Sequence, residues 1–315
     1  MRTKSIFMIC MLLFSCLLVS CNRAKEQQAE QNKIKIVASL FPLYDFAKNI
    51  GKEKAQVELL LPPGMEPHAF EPKPGDIINI SRADIFIYTN PAMEPWVEDI
   101  LKGVDSKDLF VVDSSKGALL KDEAGDSHEH EHGHGHGAEV DPHIWLDFSN
   151  AQKMVDNVLE GFLKKDPANK EFYIKNATEY KAKLQGLDNR FKDGLSACKK
   201  DVFIHGGHFA FGYLAHRYGM NYISAYNGFS PNAEPSPRMI AELIQKMKKH
   251  EIKHVYYEEL ITPRIADVVT KETGAELLML HGAHNLTKDE LDGGATFISL
   301  MEQNLKNLRT GLQCP

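Results

Sequence analysis

The chain has no excess of basic residues: 37 Lys and Arg stand against 43 Asp and Glu, for a net charge of −6. No basic patch points to nucleic acid, and an acidic balance suits a cation-binding protein. No GxSxG nucleophile elbow occurs anywhere in the sequence, so that serine-hydrolase chemistry has no support. Nor is the apolar run from Ile6 to Val19 as long as the roughly 20 residues that span a bilayer. Cysteine is scarce, with five in 315 residues, and three of them (Cys10, Cys16 and Cys21) lie at the amino terminus.

That terminus carries Arg2 and Lys4, then the apolar run, then Leu18-Val19-Ser20-Cys21, the pattern of a signal peptide (1–20) ending in a lipobox. Cys21 becomes the acylated first residue of the mature chain, and residues 21–32 a polar, flexible tether. Removing Arg2 and Lys4 takes the net charge from −6 to −8. Of the thiols, only Cys198 and Cys314 then remain. Outside the cytoplasm two leftover cysteines favour pairing, so a disulfide between them is expected, tying the start of a second lobe to the chain end.

From residue 33 about 280 residues are left, enough for two lobes each with its own core. Short β-branched runs recur, each followed by a helix-like segment, as β-α units feeding a parallel sheet do. Four such runs (Ile34–Leu40, Val57–Leu61, Ile85–Tyr88, Leu109–Val112) define a lobe over 33–165. Four more (Asp201–His205, Asn221–Ser224, His254–Tyr257, Leu277–Leu280) define another over 198–315. The fold class is therefore α/β, with two mostly parallel four-stranded sheets flanked by helices. Between the lobes a helical stretch is interrupted once at Asp166-Pro167. Beyond the break, Phe172, Ile174, Ala177, Tyr180, Leu184, Leu187, Phe191 and Leu195 recur at three- and four-residue steps, predicting one long rigid helix within 166–197, about 40 Å long. With a single seam and no matching partner segment it reads as a brace in a monomer rather than a coiled-coil dimer helix.

Histidine is the abundant specialist. Of 14 histidines, five (His128, His130, His132, His134 and His136) alternate with Glu and Gly. This run, in a loop over 127–137, has no apolar residue with which to fold and reads as a flexible metal collector. The letters of HExxH occur within it, but that motif needs a helix to put both rings on one face. An ordered site must lie elsewhere. Four histidines sit beyond the carboxyl ends of predicted strands: His68 after Glu66-Pro67, His143 after Asp141-Pro142, His208 after Gly206-Gly207, and His284 in Leu280-His281-Gly282-Ala283-His284. Open α/β sheets bind ligands in the crevice outside those ends. Two rings from each lobe would meet there and satisfy tetrahedral zinc. Glu66, Asp141 and Glu258 are candidates to orient the rings. His205 is read as a strand-end packing residue, His216, His250 and His254 as surface residues, and Trp96 and Trp145 as aromatics packed near the cleft.

The lipobox, PPGMEPHAFEP (62–72), DPHIWLD (141–147) after a histidine-rich loop, DPANKEFYIKNATEY (166–180) and HFAFGYLAHRYG (208–219) resemble the metal-binding solute-binding proteins of ABC importers, in their zinc branch (ZnuA-like, cluster A-I, solute-binding protein family 9). The resemblance covers essentially the whole mature chain. It implies a two-lobed, non-enzymatic lipoprotein that hands Zn²⁺ to a membrane permease, with the first three histidine ligands on His68, His143 and His208. Manganese-type relatives place a carboxylate at the third of these positions, so His208 favours zinc; Mn, Ni or Cu cargo and, further off, a cell-envelope zinc hydrolase are the alternatives. The fourth position departs from the pattern. Many relatives have an acid there, whereas this sequence offers His281 and His284, of which the spacing favours His284.

Overall fold

A computed structural model describes residues 33–104, 107–121, 140–226, 228–229 and 235–315. The expected signal peptide, Cys21 and its tether, and the histidine-rich loop lie outside the described residues. No helix among those described is long and apolar enough to cross a membrane.

The first sheet has β1 (Ile34–Ala38), β2 (Ala55–Leu59), β3 (Ile85–Tyr88) and β4 (Phe110–Asp113) in the order β2-β1-β3-β4, all parallel. The second has β5 (Val202–His205), β6 (Asn221–Ser224), β7 (His254–Tyr257) and β8 (Glu276–Met279) in the order β6-β5-β7-β8, again all parallel. In both, the first strand in sequence lies inside the sheet and the chain winds outward to either side. That reversal opens a crevice at the carboxyl ends of the central strands. Runs such as Ile85-Phe86-Ile87 are fully buried, as strands covered on both faces must be.

In the first lobe the helices are α1 (Phe41–Gly51), α2 (Pro74–Ser81), α3 (Val97–Gly103) and α4 (Phe148–Lys165). The Asp147 side chain caps α4, accepting from the backbone N–H groups of Ser149 and Asn150, two of the donors a helix start leaves unpaired. A 3-10 turn at Pro167–Asn169 then leads into α5 (Lys170–Leu195). Its 26 residues make a rod about 39 Å long. The second lobe adds α6 (Gly212–Arg217), α7 (Pro237–Lys249), α8 (Arg264–Thr273), α9 (Lys288–Asp292) and α10 (Phe297–Gly311).

The expectation of one core per lobe needs correcting. The main apolar core is continuous: Ile36 and Phe86 of the first sheet, Phe148 and Phe162 of α4, Phe191 of α5, and Phe203, Tyr256, Leu280 and Phe297 of the second lobe belong to one cluster. Only a smaller cluster, with Val202, Ile204, Leu243, Met247, Val255 and Val269, is confined to the second lobe. Phe297 meets Phe46 and Phe148 edge-on, at 5.3 and 6.3 Å between ring centroids. Polar ties follow the same seam. The Arg217 guanidinium of α6 donates to both carboxylate oxygens of buried Asp188 on α5 (2.7 Å each) and to Asp147 at the head of α4 (2.8 Å). Cys198 and Cys314 are bonded, closing 116 residues of chain. The lobes are thus packed together rather than hung on a hinge.

Candidate metal centre

His68, His143, His208 and His284 converge at the junction of the lobes. Each offers one ring nitrogen, and these four atoms all lie within 4.8 Å of one another. The six pairs of ring centroids span 4.9 to 5.9 Å, so the rings approximate a regular tetrahedron. His143 Nε2 and His208 Nε2 are 3.3 Å apart. Tetrahedral zinc with nitrogens at 2.0–2.1 Å has edges of about 3.3–3.4 Å, so that pair already matches one edge.

Three of the rings have a carboxylate behind them, and the fourth, His68, is set by its backbone. His68 sits in a one-turn 3-10 helix, Pro67–Ala69, whose entering residue Glu66 accepts from His68 N (3.1 Å) and Ala69 N (2.9 Å). Glu66 therefore fixes the backbone of His68 rather than its ring. Asp141 Oδ1 takes both the backbone N–H of His143 (3.0 Å) and its ring Nδ1 (2.7 Å). Glu258 stands in the same place for His208: Oε1 accepts from the backbone N–H (3.0 Å), and Oε2 lies 2.5 Å from Nδ1 as a charge contact without hydrogen-bond geometry. The carboxylate at Nδ1 of His143 and that at Nδ1 of His208 turn Nε2, with its lone pair, toward the centre.

Glu259, which is not among the ring-orienting residues expected from sequence, orients the fourth ring. Its Oε1 lies 3.2 Å from His284 Nδ1 and 3.3 Å from His281 Nδ1, while Oε2 accepts from Gly282 N. The signal was present: Glu258 and Glu259 are adjacent at the end of β7, where successive side chains point to opposite sides. His281 stays out of the quartet. It is held between Glu259 and Glu290, whose Oε1 is 3.4 Å from His281 Nε2. His205 is fully buried against Phe211 and Tyr222, with Nδ1 accepting from Gly207 N. His254 is mostly covered beside Glu276, at 3.6 Å.

Glycines make the room. A Cβ on Gly207 would lie 1.9 Å from Glu258 Oε1, and one on Gly282 would lie 2.3 Å from His284 Cε1. Trp145 packs edge-on against His143 and His284, and its indole N–H donates to Gly282 O at 2.8 Å. Trp96 packs instead on Phe70 and Phe86. The segment carrying His284 is stitched to the first lobe through Phe41 N to His284 O, Gly64 N to Leu286 O, and the Asn285 amide to Pro62 O and Met65 O.

Burial sets the charge states. It is the main force holding His68 down to about 2, and His143 and His208 well below the usual imidazole range, with the neighbouring His284 ring adding to it. Burial likewise pushes the Asp141 carboxyl up to about 8 and Glu258 up to about 7. The Nε2 atoms of His68 and His284 are buried without a hydrogen-bond partner. An orphaned buried donor or acceptor costs about 1–3 kcal/mol, and a divalent cation answers both. Three rings are buried, whereas His68 is partly covered and is the most exposed of the four.

Fold and centre together define an α/β solute-binding component for a divalent metal. A family model described as zinc-uptake complex component A, periplasmic (ZnuA), matches residues 36–311, and the chain belongs to that family. The Bacillus subtilis high-affinity zinc uptake system protein ZnuA is 42% identical over 283 residues, 89% of this chain and 88% of that protein. The Streptococcus pneumoniae zinc-binding lipoprotein AdcA is 37% identical across 97% of this chain, which spans only 60% of AdcA. The crystal structure of the Zn(II)-bound ZnuA-like domain of that AdcA superposes with a TM-score of 0.75 at 35% identity, over 89% of this chain and 99% of the domain. The family is that of an extracytoplasmic transport component working with an ABC importer permease, not of an enzyme.

Proposed function

We propose that the chain captures Zn²⁺ outside the cytoplasm between its lobes, on His68, His143, His208 and His284, and delivers it to an ABC permease for high-affinity import. The observation that carries this reading is the convergence of four imidazole nitrogens within 4.8 Å. An all-nitrogen, tetrahedral set suits zinc and disfavours the oxygen-seeking Mn²⁺ and Mg²⁺. Glu259 supplies negative charge that neutral rings lack, and Asp141 and Glu258 add theirs by releasing their protons as the cation binds. Loading needs little motion, because the core and the Arg217 ties bridge the lobes; release then falls to the permease.

The finer parts of the proposal rest on sequence. Cys21 anchors the mature monomer to the membrane, and His128, His130, His132, His134 and His136 collect metal weakly ahead of the cleft. The chain divides into signal peptide 1–20, tether 21–32, first lobe 33–165, linking helix 166–197 and second lobe 198–315. Elemental analysis and competitive zinc titration of the mature protein test the reading. One tight zinc, retained on deleting 127–137 and held markedly more weakly in His284→Ala, is expected; affinity unchanged in His284→Ala, or a tight site that vanishes with the loop, would overturn it.

A further inference from the structure

On the far side of the first lobe from the histidines is a second polar site. A cavity of about 410 Å³ is lined by Lys33, Lys48, Lys52, Tyr44, Gln56 and Val57. It sits at the amino ends of β1 and β2, where Ile34 pairs with Ala55, whereas the metal centre lies beyond the carboxyl ends. Three lysines around one concavity are notable in a chain with net charge −6. Among the described residues neither Lys33 nor Lys48 has an ion-pair partner, and Lys52 shares Glu179 with Lys175, at 3.6 and 3.9 Å. Two of the ammonium groups are pre-positioned: Lys48 Nζ donates to Tyr44 OH at 3.2 Å, and Lys52 Nζ donates to Asn176 Oδ1 at 2.8 Å.

We propose that this lysine-lined cavity binds the phosphate of an anionic phospholipid headgroup, seating the first lobe on the bilayer to which the chain is tethered. The proposal rests on the reading of Cys21 as the acylated residue. Lys33 follows Cys21 by only twelve positions. A chain of that length has a root-mean-square reach of about 20 Å, so the anchor keeps the cavity beside the headgroups. Clustered lysines near an anionic surface are drawn to it, and salt weakens the attraction. The pose turns the carboxyl ends of the strands, and the four imidazoles, away from the lipid toward incoming metal.

The test uses the full mature lipoprotein in vesicles of phosphatidylcholine with or without phosphatidylglycerol. A donor dye sits at Glu53→Cys, exposed beside the cavity but outside its lining, or, in a second preparation, at Met65→Cys beside the metal centre, with an acceptor on a trace of headgroups. The expected result is higher energy transfer from position 53 when phosphatidylglycerol is present. That gain should disappear in molar salt and in the triple variant Lys33→Gln, Lys48→Gln, Lys52→Gln, with zinc stoichiometry intact and position 65 remaining distant. Transfer from position 53 that ignores lipid charge, or survives the triple variant, would overturn the proposal. So would perturbation of the lysines by soluble glycerol phosphate with no lipid dependence, which would assign the cavity to a free anion. A mature chain lacking the acyl mass would overturn the anchoring itself, and with it the seating.

Discussion

Gly282 offers a test of the fourth ligand that substitutes none of the four histidines. A Cβ there would stand 2.3 Å from His284 Cε1 and 2.4 Å from Nδ1. Carbon atoms rest comfortably at about 3.5–4.0 Å, so in Gly282→Ala the ring must move by more than about 1 Å. Metal sites tolerate displacements of about 0.2 Å, and His284 then falls out of register. Overpacking of this kind costs about 1–3 kcal/mol, against a domain stability of about 5–15 kcal/mol, so the variant folds. Disturbing a group that merely orients a ligand costs about 10–100-fold in metal affinity; displacing the ligand itself is expected to reach or pass the upper end of that range. Competition against a chromophoric chelator measures the affinity, and metal-free thermal melting checks the fold. Gly75→Ala is the control, since nothing lies within 4 Å of a Cβ there. Wild-type zinc affinity in Gly282→Ala would refute the placement of His284 at the centre.

Asp141→Asn and Glu258→Gln, which leave behind His143 and His208 a group that cannot ionise when metal binds, should each weaken zinc by about 10–100-fold in the same titration. Metal-free stability should fall from pH 7 to pH 9. Asp141 near 8, Glu258 near 7 and Glu94 near 7, all raised chiefly by burial, keep protons in the folded state that an unfolded carboxyl has lost above about 4. Their contribution is complete below that value and is lost as pH climbs through the folded values. Below about 6.5 the buried imidazoles of His68, His143 and His208 act oppositely, because the unfolded chain takes up protons that the folded one refuses. Melting curves peaking near neutrality are the expected pattern, and a melting point that rises toward pH 9 would contradict it. Replacing both Cys198 and Cys314 by Ala opens a 116-residue loop and should cost about 2–4 kcal/mol in denaturant melts while zinc stoichiometry stays at one.

Much of this was legible in the residues. Ile85–Tyr88, Asn221–Ser224 and His254–Tyr257 appear as strands with the bounds their β-branched and aromatic runs suggest, because short buried strands flanked by polar turns leave little choice of limits. The break at Asp166-Pro167 falls where proline cannot continue a helix. What a linear pattern does not hold is direction and company. His281 and His284 are three apart in similar surroundings; only the tertiary partners, Glu290 on one side and the quartet on the other, tell them apart. Glu259 escaped notice because its role depends on which face of the β7 end meets a loop twenty-odd residues later. Glu66 was expected behind a ring and instead caps a backbone turn, a distinction set by one peptide orientation. The shared core was hidden for the same reason, since the periodicity of α5 shows that a face is buried but not that both lobes bury it.

The account turns on four ring nitrogens meeting one ion. X-ray absorption at the zinc edge of the stoichiometrically loaded mature protein, with the 127–137 loop deleted, reads that shell directly. Four nitrogen scatterers at about 2.0–2.1 Å, with the multiple-scattering signature of four imidazoles and only three in His284→Ala, are the predicted result. A shell dominated by oxygen, or one with fewer imidazoles that His284→Ala leaves unchanged, would contradict it.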